Sequence, residues 1–312
     1  MSFTVAPLHF VELAVGTRIP FGPDFVLQDI PEWLRRDKGI MNDIDLADRQ
    51  MVSHDRHALV AEYDAEAIGN PDPSWKGTKP KAIQDRKFQA AMLANLALWL
   101  RQPSPACFTV CFHAVSWNRP GEPERLPVAQ QIHRHTRLFC HPKDQNNPLN
   151  PHHIIEAASI YAALAQVPVG NPVWEATRFF WEALTTLRHD FRYASFWVGL
   201  ESLFGPDDSG ETSYKICQRI AFFLGDSPDV ARDLYRKAKN CYSTRSKIVH
   251  GRWKHDPKMA DAMADTESIV RTAFRRLLEN PQLLNAFISK KRDVFLEDWV
   301  FSRSTDPPPF PM

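Results

Sequence analysis

The stretch Asp226-Ser-Pro-Asp-Val230-Ala-Arg-Asp-Leu-Tyr235-Arg-Lys-Ala-Lys-Asn240-Cys-Tyr-Ser-Thr-Arg245-Ser-Lys-Ile-Val-His250-Gly251 decides how this chain is read. It opens with a capping segment and a first-turn proline and closes with a glycine, so it reads as one long helix over Val230 to Val249 with both ends signalled. Val230, Leu234, Ala238, Cys241 and Val249 form one apolar stripe at helical spacing, and Arg245 falls close to its centre. Burying a permanent charge without a partner costs several kcal/mol. Arg245 is therefore expected either to pair with a carboxylate or to face a cleft or interface.

Segments on either side repeat the helical period. Trp174 to Leu187, Tyr193 to Phe204, Tyr214 to Leu224 and Asp261 to Leu278 all carry apolar residues three or four apart, which gives a compact helical bundle after Pro172. Within it, Glu201 flanks the stripe made by Tyr193, Phe196, Trp197, Leu200, Leu203 and Phe204, and is the candidate partner of Arg245. His250 follows Arg245 by five residues, about 140° around a straight helix. Two geometries bring these side chains to one point: the helix ends or bends before Gly251, or two copies of the bundle pair across a shared groove. In such a groove a neutral His250 takes the 2′-hydroxyl proton of RNA while Arg245 neutralises charge on the phosphate oxygens. That chemistry requires no metal and no cofactor. Lys239, Arg236, Lys247, Arg252 and Lys254, with Arg232 and Lys237, form a basic run suited to holding RNA phosphates without reading bases.

The first half is mixed. His9 to Val15, His57 to Tyr63, Ala106 to Val115 and Val128 to Phe139 alternate like strands, while Ala82 to Leu100 reads as a helix. A helix from about His152 to Ala165 leads to the break Pro168-Val-Gly-Asn-Pro172. The expected organisation is an α+β N-terminal domain over 1–167, an all-α bundle over 172–289, and an extension over 290–312 ending in a loose tail from Ser302. A length of 312 residues accommodates two domains, each with its own core. With 38 Lys+Arg against 37 Asp+Glu, the chain is no polybasic nucleic-acid coat, so any phosphate site must be a local patch. Five cysteines without paired spacing, a start lacking a basic region and long apolar run, and no uninterrupted apolar span point to a cytoplasmic protein without a membrane segment.

Leu200-Glu-Ser-Leu-Phe-Gly205, Tyr214-Lys-Ile-Cys-Gln-Arg-Ile-Ala221 and Tyr242-Ser-Thr-Arg-Ser-Lys-Ile-Val-His-Gly251, in that order, resemble the helices of the Apea-like branch of the HEPN superfamily over about 173–284. The superfamily signature, an Arg, a polar residue, a short spacer and a His, is matched by Arg245, Ser246 and His250. The resemblance implies a bundle that dimerises and, in many members, a metal-independent endoribonuclease of prokaryotic defence or toxin-like systems. Some relatives keep the fold as a binding module without the activity. It also implies that the first half senses an unknown trigger or restrains the bundle.

Other constellations compete with this reading. His54-Asp55-Arg56-His57 contains a His-Asp doublet of the kind found in metal phosphohydrolases, and His133 and His135, with Cys140-His141 nearby, would share one strand face and suit a metal. These keep open a metal-dependent hydrolase in the first half. Cys107 and Cys111 lack a second pair for a zinc cluster, and neither a phosphate-cradling glycine loop nor a Gly-x-Ser-x-Gly elbow occurs.

Overall fold

A computed structural model describes residues 2–36, 41–42, 44–63, 79–114, 128–131, 147–207, 212–252 and 259–305. The chain divides into two compact units, Met1–Ala165 and Gln166–Met312. The first is α+β and the second all-helical.

In the first unit, β1 (Ser2–Leu8), β2 (Ile19–Phe21), β3 (Phe25–Asp29), β4 (His57–Tyr63), β5 (Val110–Ala114) and β6 (Val128–Gln131) form one antiparallel sheet in the order β2-β3-β4-β1-β5-β6. β1 pairs with β4 along its whole length but with β5 only over Phe3–Val5, so Pro7 lies past the end of the second ladder. One face carries Val5, Ala58, Val60, Val110 and Phe112 at alternate positions. They pack with Leu34 of α1 (Glu32–Arg36) and Val52 of α2 (Leu46–His54). α3 (Lys79–Arg101) and α4 (Pro151–Leu164) complete the unit, α4 lying against β2. There Tyr161 stacks on Phe21 at 5.7 Å and donates to Asp24 Oδ2 at 2.5 Å. A Cβ at Gly22 would sit 2.3 Å from that tyrosine ring, and its φ of +60° is left-handed, so both space and backbone require glycine.

The strand expected at His9 to Val15 does not form. β1 ends at Leu8, and beyond it His9 and Val11 make only single bridges, to Cys107 and Leu149. The strand expected at Val128 to Phe139 is present as β6 over its first four residues; 132–139 lie outside the described residues.

The second unit comprises α5 (Pro172–Thr185), α6 (His189–Phe204), α7 (Thr212–Leu224), α8 (Pro228–Val249), α9 (Met259–Leu278), α10 (Pro281–Ile288) and α11 (Arg292–Thr305). Three of these start alike, with a side chain accepting a first-turn N–H and proline next: Asn171-Pro172, Ser227-Pro228 and Asn280-Pro281. Aromatic side chains fill the interior, with Phe180 edge-on to Phe274 at 5.0 Å and Phe204 5.3 Å from Phe223. Two buried guanidiniums tie down the end of α6. Arg219 donates to Phe204 O at 3.3 Å and Asp293 Oδ1 at 2.6 Å, while Arg292 donates to Ser202 O and, at 2.9 Å, to Gly205 O. Ser302 to Thr305, expected as the start of a loose tail, are instead helical: α11 continues to Thr305, and the Trp299 indole donates to Phe222 O of α7 at 3.1 Å. Residues 306–312 lie outside the described residues.

Candidate functional site

α8 presents a seam of Ala231, Leu234, Ala238, Cys241 and Arg245, a repeat of alternating three- and four-residue steps. Val230 and Val249, expected on this stripe, are 48% and 52% exposed and do not belong to it. Val230 stands one position off the seam, and Val249, one turn past Arg245, falls where the helix ends. Tyr193 of α6 donates its buried hydroxyl to Cys241 O at 2.8 Å, holding the two helices together one turn before Arg245.

Arg245 does take a carboxylate partner from α6. Its Nη2 donates to Glu201 Oε2 at 2.9 Å and stands 2.9 Å from Oε1, with the side chains 20% and 23% exposed. The guanidinium carbon lies 5.5 Å from the Tyr242 ring centroid, and that ring meets Trp197 edge-on at 5.2 Å. Burial raises the Glu201 carboxyl above its ordinary range; Arg245 and the Tyr242 hydroxyl pull it partly back. Burial, with the Glu201 charge adding to it, also raises Tyr242. Arg245 Nε is buried and has no hydrogen-bond acceptor, so the guanidinium retains a donor for a further oxygen. Tyr242 and Trp197 are site residues that the spacing did not single out. Aromatics at helical intervals read first as core.

The helix ends at Val249, and His250 is its C-cap with φ −88° and ψ 11°. Gly251 follows at φ +65°, its N–H donating to Ile248 O at 3.1 Å, and Arg252 N–H donates to Lys247 O at 2.9 Å. This pair of bonds is the Schellman closure, which needs glycine at the left-handed position. His250 is exposed, and among the described residues its ring makes no hydrogen bond or ion pair. Of the two geometries open to Arg245 and His250, the helix-end one is present, yet no contact joins the two side chains. Ser246 lies between them and accepts the His250 N–H through its backbone carbonyl at 3.1 Å.

The basic run lies on the side of α8 opposite the seam, since Arg236, Lys239 and Lys247 stand about 120–180° around the axis from Arg245. Its middle is largely neutralised. Arg232 pairs with Asp229 at 2.8 Å, Arg236 with Asp233 at 3.3 Å and Lys237 with Asp265 at 2.8 Å. Among the described residues Lys239, Lys247 and Arg252 have no ion-pair partner; Lys239 lies in mid-helix with its Nζ 6.0 Å from the Tyr235 ring centroid, and the other two stand at the helix C-terminus, where the peptide dipoles favour them. Lys254 lies outside the described residues.

In the first unit the His-Asp doublet is occupied within the fold. Asp55 binds His9, and His57 is buried with Nε2 3.4 Å from Asp29 Oδ1. Among the described residues no group of three or more His, Cys, Asp or Glu is placed to hold a metal ion. His133, His135, Cys140 and His141 lie outside them. No helix among the described residues is long and apolar enough to cross a membrane. No family model matches the sequence, and no curated protein or solved structure is significantly similar to it.

Proposed function

We propose that this chain is a metal-independent endoribonuclease of the HEPN type, acting as a homodimer, with His250 as general base and Arg245 stabilising charge on the phosphate. The observation that carries the reading is a guanidinium set on an apolar seam, braced by Glu201 and Tyr242, with a buried Nε donor left over. A helix that needed only stability would place a leucine there.

His250 takes the proton of a 2′-hydroxyl, the 2′-oxygen attacks phosphorus, and the bond to the 5′-oxygen breaks. The 5′-oxygen takes a proton from water as it leaves and His250 returns its own to solvent, so the products are a 2′,3′-cyclic phosphate and a 5′-hydroxyl. Charge gathers on the non-bridging oxygens during this displacement, where Arg245 acts. Because the unpaired cations at the helix C-terminus and Arg245 occupy different sides of α8, a second bundle across a groove is what brings both to one strand. The first unit would then sense a trigger or restrain the bundle in a defence or toxin-like system in the cytoplasm.

The test incubates RNA with the purified chain in chelator. Cleavage with 2′,3′-cyclic ends should fall by about 100-fold or more in His250→Ala and Arg245→Ala. A binding module without chemistry is the second reading, favoured by the engagement of Arg245 with Glu201 and the separation of His250 from both. It predicts RNA that is retained but intact, and that result would displace the nuclease reading.

A further inference from the structure

Aromatic and cationic side chains alternate along one flank of α8. Tyr235, Lys239, Tyr242 and Arg245 follow at steps of four, three and three residues, so they wind from the exposed flank to the apolar seam over about 15 Å of helix axis. Each ring meets the next cation. Lys239 Nζ lies 6.0 Å from the Tyr235 ring centroid, and the Arg245 guanidinium carbon 5.5 Å from that of Tyr242. α7 adds a further ring beside them: Tyr214 meets Tyr235 edge-on at 6.0 Å, and Gln218 Nε2 donates to its hydroxyl at 3.4 Å.

The core does not account for the outer two rings. Tyr214 is 49% exposed and Tyr235 only partly buried, whereas Tyr242 packs on the buried Trp197. The charge around them is one-sided. α7 contains no carboxylate, and the two on α8, Asp229 and Asp233, stand about 120–160° around the axis from Tyr235. Both are already paired, with Arg232 and Arg236. Lys239 has no ion-pair partner among the described residues. A face of uncharged rings interleaved with cations complements a polyanion whose flat groups are free to stack.

We propose that Tyr214, Tyr235 and Lys239 form a base-stacking subsite that grips single-stranded RNA and leads its backbone past Tyr242 to Arg245. The inference rests on the nuclease reading for the identity of the strand and adds where that strand is held. Stacking uses the π-face that every base has, so the subsite tolerates any sequence, and the lysine meets the intervening phosphate as a point charge. Bases in a duplex are already stacked on each other and cannot reach the rings. At 3.4 Å per nucleotide, about 15 Å separates the stacked base from the phosphate at Arg245 by about four nucleotides.

Fluorescence anisotropy of the full chain with a labelled 2′-O-methyl oligoadenylate tests this, because the blocked 2′-hydroxyl separates binding from cleavage. Tyr214→Ala and Tyr235→Ala should each weaken binding about tenfold or more, and Tyr235→Trp should keep it. Tyr235→Leu retains apolar bulk and helix propensity but has no ring, and should weaken binding as the alanine does. Lys239→Ala should lower the slope of log affinity on log salt by about 0.7. An abasic strand of the same length should bind the native chain and the tyrosine variants alike, a pattern that loosened packing of α7 on α8 does not produce. Equal affinity of the native chain and the tyrosine variants for the oligoadenylate, which a surface for a protein partner predicts, would overturn the proposal. So would an equal loss with the abasic strand, or no binding by the native chain. Tyrosine-dependent binding without cleavage of ordinary RNA would leave the subsite standing and remove the nuclease reading; cleavage that the tyrosine variants retain in full, with unchanged affinity, would do the reverse.

Discussion

Arg245 and Glu201 stand where two leucines would pack at lower cost. Burial raises the carboxyl more than the guanidinium and Tyr242 restore it, so the charge on Glu201 opposes folding. With the folded value raised, its contribution is complete below the unfolded value near 4.5 and is lost as pH rises through the folded one. Urea unfolding at about pH 5 and about pH 8 should find Glu201→Gln no less stable than the native chain at the higher pH, with a smaller fall between the two. Glu201→Leu, which leaves the guanidinium without its acceptor, should cost about 3 kcal/mol. The double variant Glu201→Leu/Arg245→Leu should recover most of that loss while RNA cleavage stays abolished. A pair present for stability would give the opposite order. The position of Arg245 was readable because a guanidinium interrupts an apolar repeat, and Glu201 because it flanks the facing one. Tyr242 and Trp197 were not, since their convergence depends on how α6 is rotated against α8, and no local pattern carries that angle.

At the scale of the element, α8 offers a matched comparison of its two ends. Ser227 accepts Val230 N–H at 3.3 Å, and its replacement by alanine should cost about 1 kcal/mol. Gly251→Ala should cost about 1–2 kcal/mol through its positive φ alone, because a Cβ there meets nothing within 4 Å. Stability by urea unfolding should thus fall comparably, but cleavage only with Gly251→Ala, since the Schellman closure sets the direction of His250. Equal cleavage in both variants would remove His250 from the chemistry. Helices of the second unit were legible for the same reason these ends are: period, capping residue and proline agree. β1 was not legible. Its residues are almost all buried, so no alternation marks it, and Pro7 argues locally against a strand in the middle of a sheet.

For the whole molecule, the question is where the helical unit ends, and the burial around α11 answers it. Leu296 and Trp299 are buried, and the Trp299 ring packs 5.9 Å from Phe223. Arg219, itself buried, donates to Asp293 and pairs at 3.7 Å with Glu297 on the same helix. A chain stopped after residue 289 removes all of these at once. Loss of the indole alone is worth about 3–5 kcal/mol, comparable to the full stability of a small domain, and an unpaired guanidinium is left in the interior. Circular dichroism should therefore show cooperative thermal unfolding for residues 166–312 and a low, broad transition for 166–289. The 3₁₀- and α-helical propensities of the shared residues are identical in the two fragments, so only the missing packing can separate them. Because Arg292, absent from the shorter fragment, binds the carbonyls of Ser202 and Gly205 at the end of α6, and Arg219 there loses its carboxylates, the shorter fragment should lose order at Glu201 as well, and with it the brace on Arg245. Equal melting of the two fragments would mean that α11 rests on the bundle without supporting it.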